Sequence, residues 1–176
     1  MELERNCINI CSITGPEKNI EDIDKILNYD FSMNNFIPIS KYNEATDRLL
    51  NWGCEADMEL ITYISCNFIK PQTIDMVYST DIPNLLFLRQ ISKAYDLTIE
   101  HAFNDEVMGY IGYNKIVNGE LIEVEYEEDE TSKKYQELQL KYNFINSKDI
   151  EEINTNKNNV QHLISMKDIL ELAKKK

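Results

Sequence analysis

Apolar positions change period several times along the chain, and each change marks a new element. Residues 6–14, Asn-Cys-Ile-Asn-Ile-Cys-Ser-Ile-Thr, are rich in β-formers and stop at Gly15-Pro16. Alternation there predicts a strand with Cys7, Cys11 and Ile13 on one face. Pro16 fits the first turn of a helix, where its missing N–H would have no partner anyway. Ile20, Ile23, Ile26 and Leu27 recur at helical spacing and carry that helix to about residue 28. Residues 29–52 are mixed. Within them Phe36-Ile37-Pro38-Ile39 reads as a short extended piece and 44–52 as a short helix ended by Gly53.

Residues 60–69 and 73–80 read as a pair of strands joined by Lys70-Pro71-Gln72. Asp81 or Thr80 suits the cap of a following helix, with Pro83 near its first position. That helix runs to about Tyr95 and turns Leu85, Leu88, Ile91 and Tyr95 inward. A strand follows at 97–103. Two more, 107–117 and 120–127, flank Asn118-Gly119, the strongest short hairpin signal in the chain. The order β-α-β-β-α-β with an added hairpin is the split βαβ, ferredoxin-like pattern of the α+β class. Right-handed crossovers would place both helices on one face of an antiparallel sheet.

The last 46 residues differ from the rest, and we divide the chain into an acidic domain at 1–130 and a helical extension at 131–176. Residues 132–142 form a helix on this reading, with Tyr135, Leu138 and Tyr142 on one side. After the polar loop at 154–159, Ser165 with Asp168 resembles a capping box for a last helix reaching about Lys175, with Ile169, Leu170 and Ala173 as its apolar side.

Charge sharpens that division. The net charge of −13 splits into 9 basic and 25 acidic side chains over residues 1–130, and 9 basic and 6 acidic over 131–176. The front part repels nucleic-acid phosphate and anionic membranes, so its expected partners are basic or neutral proteins. No apolar run approaches the roughly 20 residues of a membrane helix. The start, Met-Glu-Leu-Glu-Arg, lacks the basic and apolar regions of a secretory signal, which points to the cytoplasm. Cys7, Cys11, Cys54 and Cys66 are accordingly read as reduced.

Candidate chemistry changes little. Cys7 and Cys11 point the same way on a strand but stand ~13 Å apart, whereas zinc needs its ligand atoms about 2.3 Å from one ion. No metal or cofactor is expected. The two histidines are His101 and His162. A cleft of His101, Glu100, Asp105 and Cys54 is the one arrangement that would make a small hydrolase-like enzyme. Nothing supports it beyond residue type, and we expect no catalytic residues. None of the five glycines belongs to a phosphate-binding motif, and Gly109-Tyr110-Ile111-Gly112 reads as a bulge or close packing. Trp52, the only tryptophan, reads as a core or edge anchor. Glu120, Glu123, Glu125, Glu127, Glu128, Asp129 and Glu130 form a charge run. Its ordinary role is to keep a strand edge solvated, and its functional alternative is a docking surface for a basic partner. Alternation predicts Glu123, Glu125 and Glu127 on a water-facing side, with Ile122, Val124 and Tyr126 packed on the other.

Several segments together resemble the YubB/Api92-like ferredoxin-like family over about residues 5–118. They are Asn9-Ile10-Cys11-Ser12-Ile13-Thr14-Gly15, Asn51-Trp52-Gly53 followed by Asp57, the Ser79-to-Pro83 entry to the second helix, Phe103-Asn104, and Tyr110-Ile111-Gly112. The family's Trp before Pro83 is absent, and Asn104 and Glu106 replace its usual Glu and Gly. The resemblance implies a ferredoxin-like fold in proteins carried by phages and plasmids. It brings no activity and no catalytic residues, so Asn51, Trp52 and Gly53 can serve the fold alone. The expectation is a non-enzymatic binding module that docks on a basic host factor, such as a nucleic-acid-binding defence protein. Two alternatives stay open, an oligomerising accessory protein without inhibitory role and the hydrolase-like cleft around His101.

Overall fold

The computed structural model describes residues 6–40, 44–65, 73–105, 107–142 and 144. Strand β1 (Cys7–Thr14) buries Cys7, Asn9, Cys11 and Ile13 on one face. Pro16 stands just before helix α1 (Glu17–Tyr29) as its cap, one place earlier than expected. Its carbonyl accepts from the N–H groups of Asn19 and Ile20. Helix α1 buries Ile20, Ile23 and Leu27.

The extended piece expected at Phe36-Ile37-Pro38-Ile39 is not a strand. Side chains bend the backbone there instead. The Ser32 hydroxyl accepts from Asn34 N–H at 3.2 Å and starts a 3-10 turn at Met33–Asn35. Asn34 Oδ1 then accepts from Ile39 N–H at 3.0 Å. Phe36, Ile37 and Ile39 still pack on the core, half-buried.

Helix α2 (Ala45–Trp52) ends where Gly53 takes the left-handed conformation, φ 78°, and its N–H bonds Leu49 O. Strands β2 (Glu59–Ser65) and β3 (Thr73–Thr80) follow. The expected continuation to 69, with Cys66 and the Lys70-Pro71-Gln72 link, lies outside the described residues. Helix α3 (Leu85–Ala94) buries Phe87, Leu88 and Ile91, with Leu85 and Tyr95 half-buried. Its cap is Asn84, not Asp81 or Thr80. Both expected caps are committed elsewhere: Asp81 accepts from Glu55 and Ala56 N–H, and the Thr80 hydroxyl donates to Ile82 O.

Strands β4 (Thr98–Asp105), β5 (Tyr110–Val117) and β6 (Glu120–Glu127) complete the sheet, and helix α4 (Lys133–Tyr142) follows. Residues 107–109, expected as strand, are a turn. Asp105 Oδ1 draws them round by accepting from Val107 and Met108 N–H at 3.1 and 2.9 Å. Asn118 and Gly119 have φ of 49° and 82°, as the tight hairpin turn requires.

The sheet order is β2-β3-β1-β4-β5-β6, and every neighbouring pair is antiparallel. The first four strands form the ferredoxin-like unit, and the hairpin β5–β6 extends it past β4. Helices α1, α2 and α3 cover one face, where Ile13, Ile74, Tyr78 and Ile99 meet Ile23, Trp52, Leu88 and Ile91. Helix α4 lies on the other face and packs Tyr135 and Leu138 on Ile111 of β5. The last expected helix, its capping pair Ser165 and Asp168, and His162 all lie outside the described residues. Among those described, no helix is long and apolar enough to cross a membrane.

Gly112 marks close packing, as its sequence setting implies. A Cβ there would stand 2.4 Å from Phe103 Cζ and 2.8 Å from Glu125 O. Gly112→Ala should lower stability by about 1–3 kcal/mol, the usual cost of overpacking, and chemical denaturation would measure it.

Candidate functional site

The Asn51-Trp52-Gly53 segment closes α2 and ties it to α3. The Trp52 indole is fully buried, and Nε1 donates to Ile37 O at 3.0 Å. Asn51 Nδ2 donates to Asp47 O, while its own carbonyl accepts from Gln90 Nε2 on α3 at 2.9 Å. Two carboxylates then fix the loop beyond Gly53. Asp57 accepts from Met33 N–H and the Ser32 hydroxyl, and Asp81 from Glu55 and Ala56 N–H. The Arg48 guanidinium donates to Glu55 O. The segment's own contacts involve backbone groups and the apolar core.

A row of polar side chains runs under the helices. Asn9 Nδ2 donates to Cys7 O at 3.1 Å and to Thr80 Oγ1 at 2.8 Å. That leaves Asn9 Oδ1 as the acceptor facing His101 Nε2 at 2.9 Å, so Nε2 carries the imidazole proton. Burial pushes the His101 pKa down from its ordinary 6.5 to about 3, and the ring is neutral. Among the described residues its Nδ1 has no hydrogen-bond partner, nor does Asp105 Oδ2. The hydrolase-like cleft is not assembled. Glu100 alternates to the opposite face of β4, and the Cys54 thiol donates to Ala56 O. Burial raises all three described thiols, Cys7, Cys11 and Cys54, and Cys11 reaches about 12. They are protonated core groups. No cluster among the described residues has the make-up of a metal site.

Sequence reasoning met Asn9 and Asp57 only as parts of the resembled motifs, gave Asp81 the role of a helix cap, and passed over Asn84. Asn9 did leave a signal. It occupies the same alternation face as Cys7, Cys11 and Ile13, and a polar residue at an inward position needs partners.

The acidic run stands apart from this network. Glu123, Glu125 and Glu127 lie opposite Lys115, Tyr113 and Ile111 of β5, which puts all three on the α4 face. The expectation that this row faces only water is therefore corrected. Lys141 of α4 reaches Glu125 at 3.1 Å, Lys115 lies across from Glu123 in register but pairs its ammonium with Glu100 of β4 at 3.4 Å, and Glu127 accepts from Glu128 and Asp129 N–H. Nor do Ile122 and Val124 pack, both being exposed, while Tyr126 stays partly exposed with its ring 6.3 Å from that of Tyr110. A bulge at Lys115/Ile116 causes this arrangement. Leu121 pairs with Ile116 on the core side, and the extra residue Ile122 switches every later residue to the other face. The Asp129 N–H holds Glu127 below the usual carboxylate range, and the Thr131 hydroxyl does the same for Asp129. Glu128 and Glu130 are exposed beside them.

Between this face and the central strands lies a groove of about 150 Å³, lined among others by Ile10, Asp75, Glu100, Tyr113 and Tyr142. Tyr142 of α4 stacks on Tyr113 at 5.1 Å.

Residues 72–147 match the family model described as the ferredoxin-like domain in Api92-like protein. Over that stretch, less than half of the chain, the sequence is similar to the Api92-like ferredoxin-like domain. The match includes β3 through α4, and so both the acidic run and His101. A crystal structure of a protein api92 from Yersinia pseudotuberculosis is similar at 15% identity and a TM-score of 0.41, over 52% of this chain and 32% of that one. No curated protein matches the chain.

Two outcomes test the structural role of Trp52 and His101. Trp52→Ala should cost about 3–5 kcal/mol, as for a buried aromatic; a variant melting like wild type would make Trp52 a binding anchor. The buried neutral His101 should also make folding acid-sensitive. Unfolded His101 takes up a proton below about pH 6.5 and the folded ring does not. Stability should therefore fall as pH drops from about 6.5 towards 3, by up to about 1.4 kcal/mol per unit. His101→Gln should flatten that slope in urea titrations run at several pH values.

Proposed function

We propose that the chain is a non-enzymatic binding module that docks on a Lys/Arg-rich protein surface through Glu123, Glu125, Glu127, Glu128, Asp129 and Glu130. One observation carries this reading: six carboxylates lie within eight consecutive residues at one end of the sheet. Hydrogen bonds to the anionic form keep Glu127 and Asp129 charged. Lys141, paired with Glu125, offsets only part of this charge. An exposed pair of that kind contributes little, about 1 kcal/mol or less, so a partner's cations can replace it. The net charge of −13 adds long-range attraction for a basic surface. The resemblance to phage- and plasmid-borne proteins makes a cytoplasmic host factor with a basic, nucleic-acid-binding face the expected target.

The test separates this row from general acidity. Poly-lysine association is measured for a variant carrying Glu123→Gln, Glu125→Gln and Glu127→Gln. A control carries Glu17→Gln, Glu21→Gln and Asp22→Asn on α1. The β6 variant should associate at least about tenfold more slowly at low salt and converge with wild type as salt rises. Equal losses in the two variants would mean that net charge alone acts and that the row is no docking site.

A further inference from the structure

Strand β6 ends the sheet and pairs only with β5 among the described strands. Edge strands carry a row of backbone N–H and C=O groups free to pair with another chain. Natural edges usually escape this with charge on the strand and a bulge, and β6 has both. It also has something that protection does not explain. Ile122, Val124 and Tyr126 are 58%, 61% and 45% exposed in succession along the side away from the glutamates. Tyr126 rests partly on the Tyr110 ring, but a purely defensive edge has no use for Ile122 and Val124 in water.

The two faces of β6 define what could lie beside it. Directly opposed residues on antiparallel strands share a face, so any register keeps like with like across the pair. If a second copy of β6 were the partner, every such register would set Glu123, Glu125 or Glu127 against the same three glutamates of the copy. Parallel pairing in register does the same. Like charges directly opposite are destabilising, so β6 rejects its own copy. A strand alternating Lys or Arg with Val, Ile or Leu meets the opposite situation. Its cations fall against the glutamates, and its apolar groups fall against Ile122 and Val124. Among the described residues the edge is unoccupied over Glu120–Glu125, because Lys134 Nζ already takes the Tyr126 carbonyl at 2.7 Å.

We infer that β6 is a strand-addition site for an extended segment of a partner protein that alternates basic and apolar residues. The inference rests on the docking reading above and deepens it. It states that the basic partner contributes a strand rather than a broad charged surface.

Two capped octapeptides test this with the full chain. One is four repeats of Lys-Val. The other is four repeats of Lys-Pro, which keeps the charge spacing but cannot donate alternate backbone hydrogen bonds. The expected result is at least tenfold tighter binding of the Lys-Val peptide, with slowed amide hydrogen exchange in Glu120–Glu125. Equal, salt-sensitive binding of both peptides would overturn strand addition and leave charge docking standing. Protection at β2 instead would also overturn it. If neither peptide binds at low salt, both readings fall.

Discussion

All eight residues of β1 are paired on both sides, from Cys7↔Thr80 to Thr14↔Thr73 with β3 and from Cys7↔Asp105 to Thr14↔Thr98 with β4. This double pairing fixes where everything else can lie. A strand with no free edge must have both faces filled or solvated deliberately, because a one-residue slip would exchange them. Asn9 makes such a slip costly. Its amide bonds Cys7 O, Thr80 Oγ1 and His101 Nε2, one acceptor from β1, one from β3 and one partner from β4. Shifting either neighbour by a residue would leave these groups buried without partners, at a cost of about 1–3 kcal/mol each.

The helices follow from that register. With Cys11, Ile13, Ile74 and Ile99 pointing to one side, the apolar stripes of α1 and α3 have a single surface to cover. The loop between α2 and β2 buries Cys54, Ala56 and Met58, and Asp57 and Asp81 fix its course by accepting from the N–H groups of Met58, Glu55 and Ala56. On the opposite side, the hairpin β5–β6 offers Ile111 to Tyr135 and Leu138 of α4. Tyr135 also donates to Asn104 Oδ1 at 3.1 Å, so α4 is fastened to β4 as well as β5. The position at which the resembled family usually has Glu thus holds, in this chain, the acceptor for a C-terminal tyrosine.

How much of this was legible in the sequence depends on the range of the interaction responsible. Strand β3 and the Asn118-Gly119 turn were read to the residue, because alternation and left-handed turn residues act over two to four positions. The end of α2 at Gly53 was legible for the same reason. Failures occurred where a side chain took a distant backbone partner. Asp81 has the chemistry of a helix cap but binds Glu55 and Ala56, some 25 residues earlier. The piece at Phe36–Ile39 has strand composition, yet Ser32 and Asn34 turn it. The candidate site was only half legible: its carboxylates were visible as a run, but not the side of the sheet on which they would fall.

That last point turns on one residue. Without the bulge at Ile122, strict alternation from Leu121 would carry Glu123 and Glu125 to the helix side of the sheet. There Glu123 would oppose Asn114, which is buried beside His101 in the register of β4 and β5. A carboxylate at such a position would face several kcal/mol of desolvation with no cation to answer it. The bulge moves the glutamates to the face of Lys115 and Lys141 and sends Val124 and Tyr126 the other way. The single extra residue therefore serves folding first, by keeping charge out of the core. The two-sided edge, acidic on one face and apolar on the other, is the direct consequence of that solution.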